Sequence, residues 1–122
     1  MTAVRMDGKA LAERVREDVA RDVAALGHVG LATVLVGDDP ASAIYIKGKH
    51  KAAVEVGIRS NDIRLPAETS EEDLVELLAG LNADDETDGI LVQLPLPDQI
   101  DEARAIRAVD AIKDVDGFHP LN

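Results

Sequence analysis

Apolar positions along the chain change their spacing at intervals, and each change marks an element. Leu11, Val15, Val19, Val23 and Leu26 recur every three or four residues among charged neighbours, the period of a helix that buries one stripe. Asp7 before them and Gly27 after them supply an N-cap and a stop, so the pattern predicts a helix over residues 8–26 with that stripe turned inward. Gly30 then opens LATVLV, residues 31–36, a continuous apolar run of the kind found in a strand covered on both faces. Asp39 and Pro40 start a second helix, which Gly57 closes, so residues 40–56 are expected to be helical. On it, Ala41, Tyr45, Gly48, Ala52 and Val56 form the row expected to press on a sheet, with Lys49 at its margin.

Residues 58–65 read as a strand interrupted by Ser60, Asn61 and Asp62, which an edge position would tolerate. Pro66 stops it, Thr69 with Glu72 matches a capping box, and Leu74, Leu77, Leu78 and Leu81 stripe the next helix. Gly89 begins GILVQLPLP, a buried strand over residues 89–92 whose ladder Pro95 and Pro97 forbid from continuing. A helix from Asp101 to Val109, with Ile106 and Val109 inward, leads to the tail KDVDGFHPLN, where Asp114 and Asp116 flank Val115 ahead of a turn at Gly117. Alternate acids before a glycine read as a solvated turn. The alternation of helices with strands predicts an α/β fold, a three-layer α/β/α domain with a mainly parallel sheet and right-handed crossovers.

Composition narrows the chemistry. The 122 residues suffice for one domain and its core. With one Tyr, one Phe and no Trp, aliphatic side chains fill the interior, and Tyr45 is almost the only place where an aromatic face can be used. The absence of Cys removes disulfides, thiolate metal sites and a cysteine nucleophile together. His28, His50 and His119 share no ligand spacing, so no metal site is expected. A net charge of −11 opposes nucleic acid and anionic membrane surfaces as partners, and also suits a protein kept soluble in concentrated salt. No apolar run is long enough for a membrane span, and MTAVRMDGKA lacks a signal-peptide core, which suits a cytoplasmic setting.

Ligands of open parallel sheets bind outside the carboxyl ends of the strands. Three features are predicted to converge there: the turn before the 40–56 helix, Gln93 after strand 89–92, and the DVDG turn. Tyr45 and Lys49, four residues apart, share a helix face. An amine at the edge of buried surface is partly desolvated and better able to exchange protons; the same position also suits a lysine whose stem merely covers apolar surface. Gln93 needs a partner for its amide, since burying it unpaired costs roughly 1–3 kcal/mol, and a neighbouring backbone group could serve.

Taken together, VGDDPASAIYIKGKHKAAVEVGI, LPAETSEEDL, DGILVQLPLP and KDVDGFHP resemble the bifunctional methylenetetrahydrofolate dehydrogenase/methenyltetrahydrofolate cyclohydrolase family, over nearly the whole chain. The match is to its amino-terminal, folate-binding catalytic domain. The resemblance implies NADP-dependent oxidation of 5,10-methylenetetrahydrofolate to the methenyl cation, and hydrolysis of that cation to 10-formyltetrahydrofolate at the same site. It makes Lys49 the catalytic lysine, Gln93 its hydrogen-bonding partner, Tyr45 the platform stacked on the folate rings, and Asp116 the carboxylate that holds the pterin. The roles suit the groups: an ionised carboxylate accepts paired pterin N–H donors, and an aromatic face suits a flat cation.

The sequence departs from the family at Ala43, often Gln there, at Ala53, often Cys, and at Ala111 and Ile112, where a Pro-containing turn is usual. The family continues into a Rossmann domain that binds NADP, and no G-x-G-x-x-G pattern occurs in residues 1–122. The isolated chain is therefore expected to lack dehydrogenase activity, and a homodimer is implied only for the complete enzyme. The alternative from another class is a non-catalytic α/β ligand-binding or regulatory module, which the same alternation of elements would support. A short-chain dehydrogenase shares the Tyr-x-x-x-Lys spacing but needs a glycine-rich nucleotide motif upstream, which is missing here.

Overall fold

The computed structural model describes residues 2–122. Its elements are α1 (Gly8–Leu26), β1 (Gly30–Val36), α2 (Pro40–Glu55), β2 (Arg59–Leu65), α3 (Glu71–Ala83), β3 (Gly89–Val92) and α4 (Glu102–Ala108). The three strands form one parallel sheet in the order β2-β1-β3. From β1 the chain crosses to one side to make β2, then passes back over β1 to make β3. Right-handed crossovers in opposite directions put their helices on opposite faces.

The two cores follow that arrangement. Ala32, Val34 and Val36 of β1, with Ile90 of β3, pack on Leu74, Leu78 and Leu81 of α3 and Ala105 of α4. The alternate residues Leu35 and Leu91 face the other way, onto Ile46 of α2. A strand with both faces covered reads as an unbroken apolar run because both sets of alternating side chains are buried, and β1 shows this. β2 lies at an edge, which is why Ser60, Asn61 and Asp62 are tolerated in it; Ser60 Oγ meets His50 Nδ1 of α2 at 2.9 Å. The tail extends the other edge: Asp114 forms a parallel bridge to Ile90 beyond β3.

Four expectations are corrected. The buried row of α2 is Ser42, Ile46 and Ala53, whereas Ala41, Tyr45 and Gly48 are exposed. Small and aliphatic residues occur all round this helix, so periodicity could not choose a face. The choice goes to Ile46, which fills the space between Leu35 and Leu91, and to Ser42, whose backbone N–H and hydroxyl both donate to Asp39. The stripe of α1 is uncovered: only Val23 is buried, and Leu11, Val15 and Leu26 are exposed. α3 is capped by Ser70, whose hydroxyl accepts from Asp73 N–H, while the Thr69 hydroxyl donates to the Pro66 carbonyl. The DVDG segment is bonded to the sheet edge rather than simply solvated.

Gly30 and Gly48 test this packing with opposite signs. A Cβ at Gly30 would lie 1.9 Å from the Glu86 carbonyl oxygen, whereas one at Gly48 meets nothing within 4 Å. Gly30→Ala is expected to lower the unfolding temperature, and Gly48→Ala to stabilise the chain by about 0.5–1 kcal/mol, the usual gain for replacing a mid-helix glycine. Thermal denaturation of the two variants checks this.

Candidate functional site

The order β2-β1-β3 makes a topological switch point between β1 and β3, where open parallel sheets have a crevice outside the carboxyl ends of the strands. Two chain segments leave the sheet there. After β1, Gly37 takes φ 94°, a conformation reserved for glycine, and turns the chain into α2. After β3, Gln93 donates its backbone N–H to the Val34 carbonyl at 2.9 Å, which fixes where its side chain starts.

Lys49 lies on α2 in line with Ile46 and Ala53. Helical side chains lean toward the N-terminus of their helix, which for α2 is the carboxyl end of β1. The long Lys49 side chain therefore reaches back to the crevice, where Nζ donates to Gln93 Oε1 at 3.0 Å. Because an ammonium can only donate, this contact sets which end of the Gln93 amide faces it. The other end, Nε2, donates to the Leu94 carbonyl at 3.1 Å. Both partners considered for Gln93 are thus present, and the glutamine is held as a fixed acceptor. Lys49 itself is exposed, so this chain does not desolvate it as its place beside apolar surface suggested; its stem lines an apolar trough of about 280 Å³ between α1 and α2.

Tyr45 sits one turn before Lys49 and is 63% exposed. It is not pressed on the sheet, which leaves its ring open to a ligand. Asp116 comes from the far edge. Because Asp114 pairs with Ile90 in parallel, the next residues run toward the carboxyl end of β3, and Asp116 lines a small hollow with Val92, Ile106 and Phe118. The structure therefore brings Lys49 and Gln93 into contact, whereas Tyr45 and Asp116 form no hydrogen bond with either among the described residues.

Asp114, expected only as one acid of a solvated turn, is bonded to the His119 N–H and the Asn122 side chain. Burial works against its charge, but hydrogen bonds from the His119 backbone, the Asn122 side-chain amide and the Gly117 and Asp116 backbones outweigh it, and its carboxyl lies below the usual aspartate range. The signal was present in Asp114 standing ahead of a glycine turn and Asn122, since Asp and Asn side chains bond to nearby backbone. Asp84, at the end of α3, is lowered chiefly by the Glu86 backbone N–H and then by the Thr87 hydroxyl.

At the helix start after β1, where a dinucleotide pyrophosphate would sit, Pro40 has no N–H and Asp39 Oδ2 takes the Ser42 N–H at 3.1 Å, which places a carboxylate where an anion would need donors. No helix of the described residues is long and apolar enough to cross a membrane.

Known proteins share this sequence and fold. Residues 6–116 match the family model described as tetrahydrofolate dehydrogenase/cyclohydrolase, catalytic domain. Relatives named bifunctional protein FolD include one from Acidiphilium cryptum, 54% identical over all of this chain and 44% of its own length. Another, from Oleidesulfovibrio alaskensis, is 49% identical over 98% of this chain and 43% of its own. The chain thus spans less than half the length of the curated relatives it matches. Among solved structures, the FolD methylenetetrahydrofolate dehydrogenase/cyclohydrolase of Campylobacter jejuni superposes with a TM-score of 0.90 at 43% identity, covering 94% of this chain and 42% of that one. The Trypanosoma brucei enzyme, described as complexed with NADP cofactor and inhibitor, gives 0.92 at 35% identity, covering all of this chain and 43% of that one.

The two lowered acids contribute stability that acid removes. A carboxyl whose folded pKa is depressed contributes stability above its ordinary value, here 3.8, and loses it as pH falls through the folded value. Stability is therefore expected to decline below about pH 4, and Asp84→Asn to lose less stability on acidification than the parent chain. Chemical denaturation at a series of pH values reads the difference.

Proposed function

The chain belongs to the tetrahydrofolate dehydrogenase/cyclohydrolase family through its catalytic domain, and from that premise we propose that it is the folate-binding catalytic part of a methylenetetrahydrofolate dehydrogenase and methenyltetrahydrofolate cyclohydrolase. The observation that carries the reading is the 3.0 Å contact from Lys49 Nζ to Gln93 Oε1 at the switch point. Family membership disfavours the alternative of a non-catalytic ligand-binding or regulatory module.

In the proposed hydrolysis, water adds to the methenyl carbon of the cation and gives up a proton. The bond from that carbon to N5 then breaks as the added hydroxyl gives up its own proton and becomes the formyl carbonyl, N5 takes a proton, and 10-formyltetrahydrofolate is left. One proton is released overall. Lys49 is the group placed to carry protons between these sites. Gln93, pinned through Leu94, aims the amine by accepting one of its three N–H bonds and leaves the others for water and substrate. Tyr45 offers its face to the flat folate cation. Asp116 accepts a pair of pterin N–H donors, a charge-assisted contact.

Oxidation of 5,10-methylenetetrahydrofolate belongs to the complete protein. Since Asp39 fills the helix start, NADP would be held by the portion of the family proteins outside the match, which we read as the NADP-binding domain. We assign pairing into a homodimer to that portion as well.

In a full-length protein carrying these residues, Lys49→Met is expected to slow methenyl hydrolysis by about 10²–10⁴-fold, the range for a positioned proton-transfer group, with folate affinity kept. Gln93→Ala should slow it less. Methenyl hydrolysis that continues at the parent rate in Lys49→Met would remove the assignment.

A further inference from the structure

Residues 111–122 are folded around one carboxylate. Asp114 Oδ2 accepts the His119 N–H at 2.7 Å and the Asn122 side-chain N–H at 3.1 Å. Asn122 is tied back twice more, through its side chain to the Ala111 carbonyl at 2.9 Å and through its backbone N–H to the His119 carbonyl at 2.8 Å. Between these contacts Gly117 takes φ 70° and makes the reversal. On its other side the segment is fixed to the sheet: Ile90 N–H donates to the Lys113 carbonyl at 2.7 Å, and Val115 N–H to the Ile90 carbonyl at 3.4 Å.

Asp116 lies inside this closed turn, and the two acids are used in opposite ways. Asp114 is half-buried and spends its acceptor sites on the chain itself; Asp116 is exposed and makes no side-chain hydrogen bond among the described residues. An ionised carboxylate has about four acceptor sites, and those of Asp116 remain for a ligand. An isolated acid on a mobile tail would lose conformational freedom on binding, and a turn already ordered removes that cost.

We propose that Asp114 is a positioning residue for folate recognition, holding the turn that presents Asp116 to the pterin by gathering the His119 N–H and the Asn122 amide. This rests on the reading of Asp116 as the pterin-binding acid, so its test separates the two. The 122-residue chain is titrated by calorimetry with 5-formyltetrahydrofolate as probe, and the amides of residues 116–119 are followed by nuclear-spin relaxation and hydrogen exchange.

Asp114→Asn is expected to loosen those amides and weaken binding by about tenfold. Asn122→Ala, which removes one donor, should act in the same direction with a smaller effect, and it carries the test if Asp114→Asn does not fold. Asp116→Asn should weaken binding with the turn still ordered. The double variant Asp114→Asn/Asp116→Asn should bind little worse than Asp116→Asn, because a position matters only while the acid it serves is present.

Unchanged order at residues 116–119 in Asp114→Asn, or losses that add fully in the double variant, would overturn the proposal. Should Asp116→Asn bind as the parent does, the assignment of Asp116 to the pterin fails while the amides still report whether Asp114 holds the turn. A parent chain that takes up no probe defeats folate binding by these residues alone, and the amides again decide the role of Asp114.

Discussion

β1 is the strand on which everything else is placed. It is paired on both edges by parallel neighbours and covered on both faces, so the chain must leave it in one direction and return past it in the other. That reversal opens the crevice at its carboxyl end, and it also sends α2 back across the sheet with its first turns beside the crevice. The site is a consequence of this topology. Lys49 reaches it because helical side chains lean toward the start of their helix, and Gln93 because its backbone is bonded to Val34 of β1.

The polar groups of the site form two sets. Asp39, Asp114 and the amide nitrogen of Gln93 are consumed within the chain and hold geometry. Lys49, Tyr45 and Asp116 are exposed and available. Such a division is expected where first-contact groups are supported by neighbours whose own hydrogen bonds are complete. It also puts the Asp39 carboxylate, bonded to the Ser42 N–H and hydroxyl, at the start of α2, where a pyrophosphate would need donors.

Much of the fold was legible in the sequence wherever an element carried one clear signal. The unbroken run of β1, the leucines of α3, the Asp7 and Asp39 caps and the helix start at Asp101 all led to elements at the expected places. Reading failed where signals competed. α2 has small and aliphatic residues on every side, so its buried face was decided by packing between Leu35 and Leu91, which no periodicity records. Ser70 and Thr69 are both capping types, and the hydroxyl that meets the helix start is that of Ser70. The α1 stripe reads as buried but stays open, because a helical period reports the shape of a face and not what covers it. At the site, the expected elements put Lys49 and Gln93 at the same end of the sheet, the hydrogen bond between them was implied only by the family resemblance, and the bonds from Asp114 to His119 and Asn122 lie in a loop whose contacts spacing does not reveal.

The central claim is that these residues hold the folate with Tyr45 against its rings. Tyr45 is the only tyrosine, so its ring signals in a two-dimensional NMR spectrum are unambiguous. Titration of the chain with 5,10-methenyltetrahydrofolate is expected to move them in a saturable way, upfield as ring stacking requires. Ring signals that stay in place at millimolar ligand, while other signals of the chain shift, would put the folate elsewhere and contradict the account.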